Sequence, residues 1–101
     1  MGEFDNNLGF DWDSGNLKKS LIKHGVTQKE SEEIFFDECA IVSEDSKHSQ
    51  KEERRLILGE TGTGRYLSVT FTLRNPKIRI ISARPMNKKE RRLYEKIKNN
   101  S

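Results

Sequence analysis

From Arg65 to Leu73 the chain alternates residue by residue. Leu67, Val69, Phe71 and Leu73 fall on one side, and Tyr66, Ser68, Thr70 and Thr72 on the other. A period of two fits a strand with one buried face and no helix. Its flanks narrow the topology further. Upstream, Arg54 to Gly59 carries Leu56, Ile57 and Leu58 and reads as a second strand. Between the two lies Thr61-Gly62-Thr63-Gly64, a turn with two glycines available for positive φ. Downstream, Asn75-Pro76 marks a turn before Lys77 to Ala83, a strand rich in β-branched isoleucine. Pro85 stops that strand, because proline cannot donate to a ladder. Three strands joined by short connections predict sequential antiparallel hairpins.

The rest of the chain supplies helices and two shorter strands. Residues 1–7 read as a flexible tail, and 8–101 as a single domain. Leu8 to Trp12 alternates as a short first strand, and Ala40 to Val42 reads as another. Asp13 or Ser14 caps a helix whose apolar stripe is Leu17, Leu21 and Ile22, and Gly25 stands where a left-handed stop is wanted. Thr27 with Glu30 makes a capping box for a second helix, which ends in Ile34, Phe35 and Phe36. Ser43 to Gln50 reads as an exposed polar loop. Asn87 with Glu90 opens a last helix with Leu93, Tyr94 and Ile97 as its core stripe. The predicted order is β-α-α-β-β-β-β-α: an α+β fold with a small antiparallel sheet flanked by helices.

Charge bears on partners rather than on fold. The net charge of +3 conceals an uneven distribution. Residues 1–50 hold 5 Lys/Arg against 11 Asp/Glu, or −6; residues 51–101 hold 14 against 5, or +9. A basic second half suits a nucleic acid or an acidic partner; the plainer reading is a solvated surface that neutralises itself on folding. Cys39 is the only cysteine, which excludes an internal disulfide and a paired-cysteine zinc site. No apolar stretch reaches membrane-spanning length, and the acidic start does not resemble a signal peptide, so a cytoplasmic protein is expected.

Three arginines invite a chemical reading. Arg79 lies within the last strand, Arg84 ends it, and Arg74 stands beside the preceding turn. A guanidinium donates two parallel hydrogen bonds, stays charged, and can stabilise charge on a phosphoryl group. Convergence on a phosphate is one reading; pairing with the acidic first half is the other. Metal-free RNA cleavage also needs a base for the 2′-hydroxyl and an acid for the leaving oxygen. His48, near Glu52 and Glu53, suits either role or is merely solvated. His24 reads as a cation at a helix C-terminus. Tyr94 is core, or offers its hydroxyl to a phosphate or a base. Thr-Gly-Thr-Gly is no phosphate-binding loop, because it lacks the Lys-Ser/Thr ending and a following helix. No metal or other cofactor is assigned.

The sequence resembles the BrnT family of bacterial type II toxins. The resemblance rests on Phe10-Asp11-Trp12-Asp13, Lys23-His24-Gly25-Val26, Phe35-Phe36-Asp37, His48-Ser49, Glu52-Glu53-Arg54, Gly59 and Phe71-Thr72. Its most specific part is Ile78-Arg79-Ile80-Ile81-Ser82-Ala83-Arg84 followed by Glu90-Arg91 and Tyr94. The resemblance implies a RelE-like fold and a metal-independent endoribonuclease that arrests translation. It implies a BrnA-like ribbon-helix-helix antitoxin in a heterotetramer, with operator DNA reached only through that antitoxin. Carried over by position, Arg74, Arg79, Arg84, His48, Glu53 and Tyr94 become the candidate site. Two positions depart from the pattern: Arg55 replaces an aromatic or apolar residue, and Leu73 stands where many relatives carry glutamate. The alternative is a non-catalytic basic module that binds nucleic acid or a partner.

Overall fold

The computed structural model describes residues 9–44, 53–74 and 77–100. The residue 1–7 tail, His48 and the Asn75-Pro76 turn lie outside these. The elements are β1 (Phe10–Trp12), α1 (Ser14–His24), α2 (Gln28–Glu33), a 3-10 turn (Ile34–Phe36), β2 (Ile41–Glu44), β3 (Arg54–Glu60), β4 (Tyr66–Arg74), β5 (Lys77–Pro85) and α3 (Lys88–Asn99). This is the mixed α+β order expected from sequence. The strands form one sheet in the order β1-β5-β4-β3-β2. Every pairing is antiparallel except β1 against β5, which is parallel. The chain reaches that edge only after β1 has passed through both helices and three strands, so direction is free of any hairpin constraint.

One sheet face carries the main core. Leu67, Val69 and Phe71 of β4 meet Ile57 of β3, Ile78, Ile80 and Ala83 of β5, and Val26, Ile34 and Phe35 from the helical segment. The aromatic rings of Phe10, Phe35 and Phe71 pack edge to face at 5.0–5.3 Å between centroids. Gly59 is required by this layer. A Cβ there would lie 2.8 Å from Ile34 Cβ and 3.1 Å from the Ile34 carbonyl oxygen. Gly59→Ala is therefore expected to cost about 1–3 kcal/mol by overpacking, read as a lower denaturation midpoint at unchanged slope.

Helix ends follow local chemistry. Asp13 accepts from the N–H groups of Gly15 and Asn16, and Gly25 closes α1 at φ 63°. Both capping boxes, Thr27 with Glu30 and Asn87 with Glu90, are formed. The apolar stripes differ from expectation. On α1, Ser20 is buried while Leu21 and Ile22 are 50% and 71% exposed. On α3, Tyr94 is buried while Leu93 and Ile97 are 47% and 42% exposed. The reason is the same in both cases: each helix meets the sheet along a polar or aromatic line rather than its aliphatic one. β2 also begins and ends later than expected and takes in Ser43 and Glu44 from the predicted loop.

α3 crosses one end of the opposite sheet face. Its residues reach β5 through Glu90 and Arg84, β4 through Tyr94 against Tyr66, and β3 through Lys98 and Glu60. The remainder of that face carries Arg54, Leu56 and Leu58 of β3 and the polar residues of β4 and β5.

Candidate functional site

Register places the arginines. Thr72 lies opposite Arg79, Ser68 opposite Arg84, and Arg74 opposite Lys77. Directly opposed residues share a face. Arg74, Arg79 and Arg84 therefore lie on one side of the sheet, with Ser68, Thr70 and Thr72, away from the main core. They form a row rather than a point. Arg74 and Ser68 are six residue steps apart along β4, so the row spans about 20 Å at ~3.3 Å per residue.

Each guanidinium in the described network has company. Arg79 Nη1 donates to Asp11 Oδ2 at 3.3 Å, and its Nη2 lies 3.9 Å from Asp13 Oδ2. β1 is what brings Asp11 there, because it pairs directly with Arg79 in register. Arg84 donates through Nη1 and Nη2 to both oxygens of Glu90, at 2.7 and 2.9 Å. Glu90 also caps the Asn87 N–H. Burial alone would push the Glu90 carboxyl up, but the Arg84 fork and the Asn87 N–H hold it below its usual value. The hydrogen bonds to Glu90 push Arg84 the other way, against its own burial. Pairing with acidic groups and alignment on one face are both realised.

Glu53 precedes β3. Its carbonyl oxygen accepts from Thr72 Oγ1 at 2.8 Å, and Thr72 opposes both Arg54 and Arg79. That contact fixes the Glu53 backbone in the row of Arg79. Its carboxylate lies 3.7 Å from Arg55 Nη2 and is mostly exposed. Tyr94 is fully buried and donates its hydroxyl to Asp37 Oδ2. Burial and the Asp37 carboxylate both push the phenol far above its usual range. Leu73 is 45% exposed at the end of β4. His48 lies outside the described residues.

Sequence reading missed two organising groups. Arg65 donates to the carbonyls of Gly25 and His24 at 2.9 and 3.1 Å and to Glu30 at 3.0 Å, which ties the end of α1 to the start of α2. Asp37 receives Glu60 N–H, Cys39 N–H and the Tyr94 hydroxyl. Apart from the Cys39 N–H two residues on from Asp37, their partners lie far away along the chain, where local spacing does not identify them. Among the described residues, no group of three or more His, Cys, Asp or Glu side chains is placed to hold a metal ion.

Residues 12–90 match the family described as ribonuclease toxin, BrnT, of type II toxin–antitoxin system. The chain belongs to the BrnT family. Residues 12–90 run from the end of β1 to Glu90, so the BrnT match contains the whole arginine row together with Asp13 and Glu90, while Asp11 lies just before it. No curated protein matches the sequence. A BrnT toxin has RNA as its substrate class and an antitoxin as its partner. No helix among the described residues is long and apolar enough to cross a membrane.

Proposed function

We propose that this BrnT chain is a metal-independent endoribonuclease that stops translation, and that the Arg74–Arg79–Arg84 face holds the RNA backbone during cleavage. The observation that carries the reading is the shared face of the three arginines, with Glu53 fixed in the row of Arg79. Arg79 and Arg84 would exchange their carboxylate partners for phosphate oxygens, which have the same bidentate geometry. Glu53 or His48 removes the 2′-hydroxyl proton. The 2′-oxygen then attacks phosphorus, the P–O5′ bond breaks, and the 5′-oxygen leaves with a proton from an acid. The products are a 2′,3′-cyclic phosphate and a 5′-hydroxyl. Guanidinium groups neutralise the charge that builds on the phosphoryl oxygens. Tyr94, held by Asp37, supports the α3 wall of this face; a direct role would require that bond to open.

A BrnA-like ribbon-helix-helix antitoxin in a heterotetramer, touching operator DNA through the antitoxin alone, completes the proposal, and the cytoplasm is its setting. The exposed Leu93 and Ile97 lie one turn apart on α3 beside Lys89, Arg92 and Lys96. That surface suits an antitoxin segment with apolar and acidic side chains. Expression without antitoxin should arrest growth, and purified protein should degrade RNA to cyclic-phosphate ends in the presence of a chelator. Intact RNA with unimpaired RNA binding would instead favour the non-catalytic binding module.

A further inference from the structure

A second basic surface borders the arginine row. Between α1 and β5 lies a cavity of about 170 Å³, lined among others by Lys19, Ser20, Lys23 and His24 from α1 and by Ile81 and Ser82 from β5. Its shape comes from an irregularity in the sheet. Phe71 pairs with Ile80 and Thr70 with Ser82, so Ile81 is an extra residue with no partner on β4. Such a bulge bends its strand and re-aims the following side chains. β1 pairs no further than Ile80, so Ala83 N–H donates to Ser20 Oγ of α1 instead, at 3.1 Å. The helix thus takes over the strand edge and places Lys19 and Lys23, one turn apart, over the bulge.

Two features suit an anion. Lys19 and Lys23 are exposed and, among the described residues, pair with no carboxylate, in contrast to Arg79 and Arg84. Ser20 accepts through its oxygen, which leaves its O–H as a donor at the cavity wall, and exposed Ser82 adds another hydroxyl. Ser82 also opposes Thr70, on the face of Arg79 and Arg84. Ser82 is therefore shared between the cavity wall and the face of the row. We propose that it is a phosphodiester subsite, which grips an RNA phosphate next to those held by the arginines. This rests on the RNA reading above and adds a residue set to it.

The test compares K19Q/K23Q with K18Q/K29Q, which has the same net charge but alters exposed lysines outside the cavity. The probe is a short single-stranded RNA made uncleavable by 2′-O-methylation, with affinity measured by fluorescence anisotropy across salt. Loss of one single-strand phosphate contact should weaken binding about 5-fold at 0.1 M salt, an effect that vanishes near 1 M, and flatten the salt slope by about 0.7. K18Q/K29Q should stay close to the unmodified chain. Equal losses in the two variants, or none in K19Q/K23Q, would overturn the subsite. A parallel titration with inorganic phosphate, followed by amide NMR, separates the two layers. Shifts at Ser20 and Ser82 that disappear in K19Q/K23Q support the anion site even if the unmodified chain ignores RNA, an outcome that removes only the RNA reading. Absence of those shifts overturns the site.

Discussion

Alanine at Arg79 or at Arg84 should slow RNA cleavage by about 100- to 1,000-fold, the usual effect of removing one aligned donor to developing charge. Two causes combine. The phosphoryl group loses a fork of two N–H donors, and a carboxylate is left facing the RNA: Asp11 in one variant, Glu90 in the other. Lysine should rescue part of the loss, because it restores charge without the planar fork. The stability cost should be small, since these side chains are 26% and 41% exposed and pairs of that kind contribute little. Glu90→Gln provides the opposite sign. It releases Arg84 from its strongest partner, so RNA should bind more tightly at low salt while α3 becomes less stable. Gel-based cleavage rates with anisotropy binding on the same preparations would check all five variants. Wild-type rates in both alanine variants would remove the arginines from the mechanism.

Tyr94→Ala should be the most destabilising single change, at about 3–5 kcal/mol. The ring is fully buried, packs 5.3 Å from Tyr66, and its hydroxyl reaches Asp37 from a helix 57 residues away. Removing it would detach α3 from the sheet and leave Asp37 with only its backbone donors. Tyr94→Phe keeps the ring and should cost less, about 1.5–3 kcal/mol for the lost bond to a charged acceptor. A pH signature distinguishes this role from simple packing. The folded state raises the phenol above its unfolded value near 10, as burial and Asp37 both oppose ionisation. Its contribution is complete below about pH 10 and is lost as pH rises beyond that. The unmodified protein should therefore lose stability at alkaline pH more steeply than Tyr94→Phe, by chemical denaturation at stepped pH. Parallel curves would contradict the buried phenol.

Much of this molecule was legible in its sequence because it is encoded locally. Two capping boxes, the left-handed Gly25 and the alternation of β4 each lie within a few residues and need no distant partner. What failed was the assignment of faces. Leu21, Ile22, Leu93 and Ile97 look like core by spacing but stay exposed, while Ser20 is buried, as is Tyr94, the one stripe member that is fully core. A helix reports an apolar stripe, not whether a sheet lies beneath it. The parallel edge of β1 was equally hidden, since nothing near Phe10 identifies Ile78 as its neighbour. The same limit applies to the site. Arg79 and Arg84 are five residues apart, which simple alternation would put on opposite faces; the bulge at Ile81 brings them onto one, and the carboxylates that clasp them come from β1 and α3. The expected single pocket is a row because strand spacing separates its members.

The central claim is a place: RNA lies along the face formed by β4 and β5. Amide NMR of the unmodified chain, titrated with an uncleavable single-stranded RNA, tests it most directly. Perturbations should cluster at Thr70, Thr72, Arg79, Ser82 and Arg84, with Val69, Phe71 and the α2 amides little changed. A footprint confined to α2 and the 3-10 turn, with those five residues silent, would contradict it.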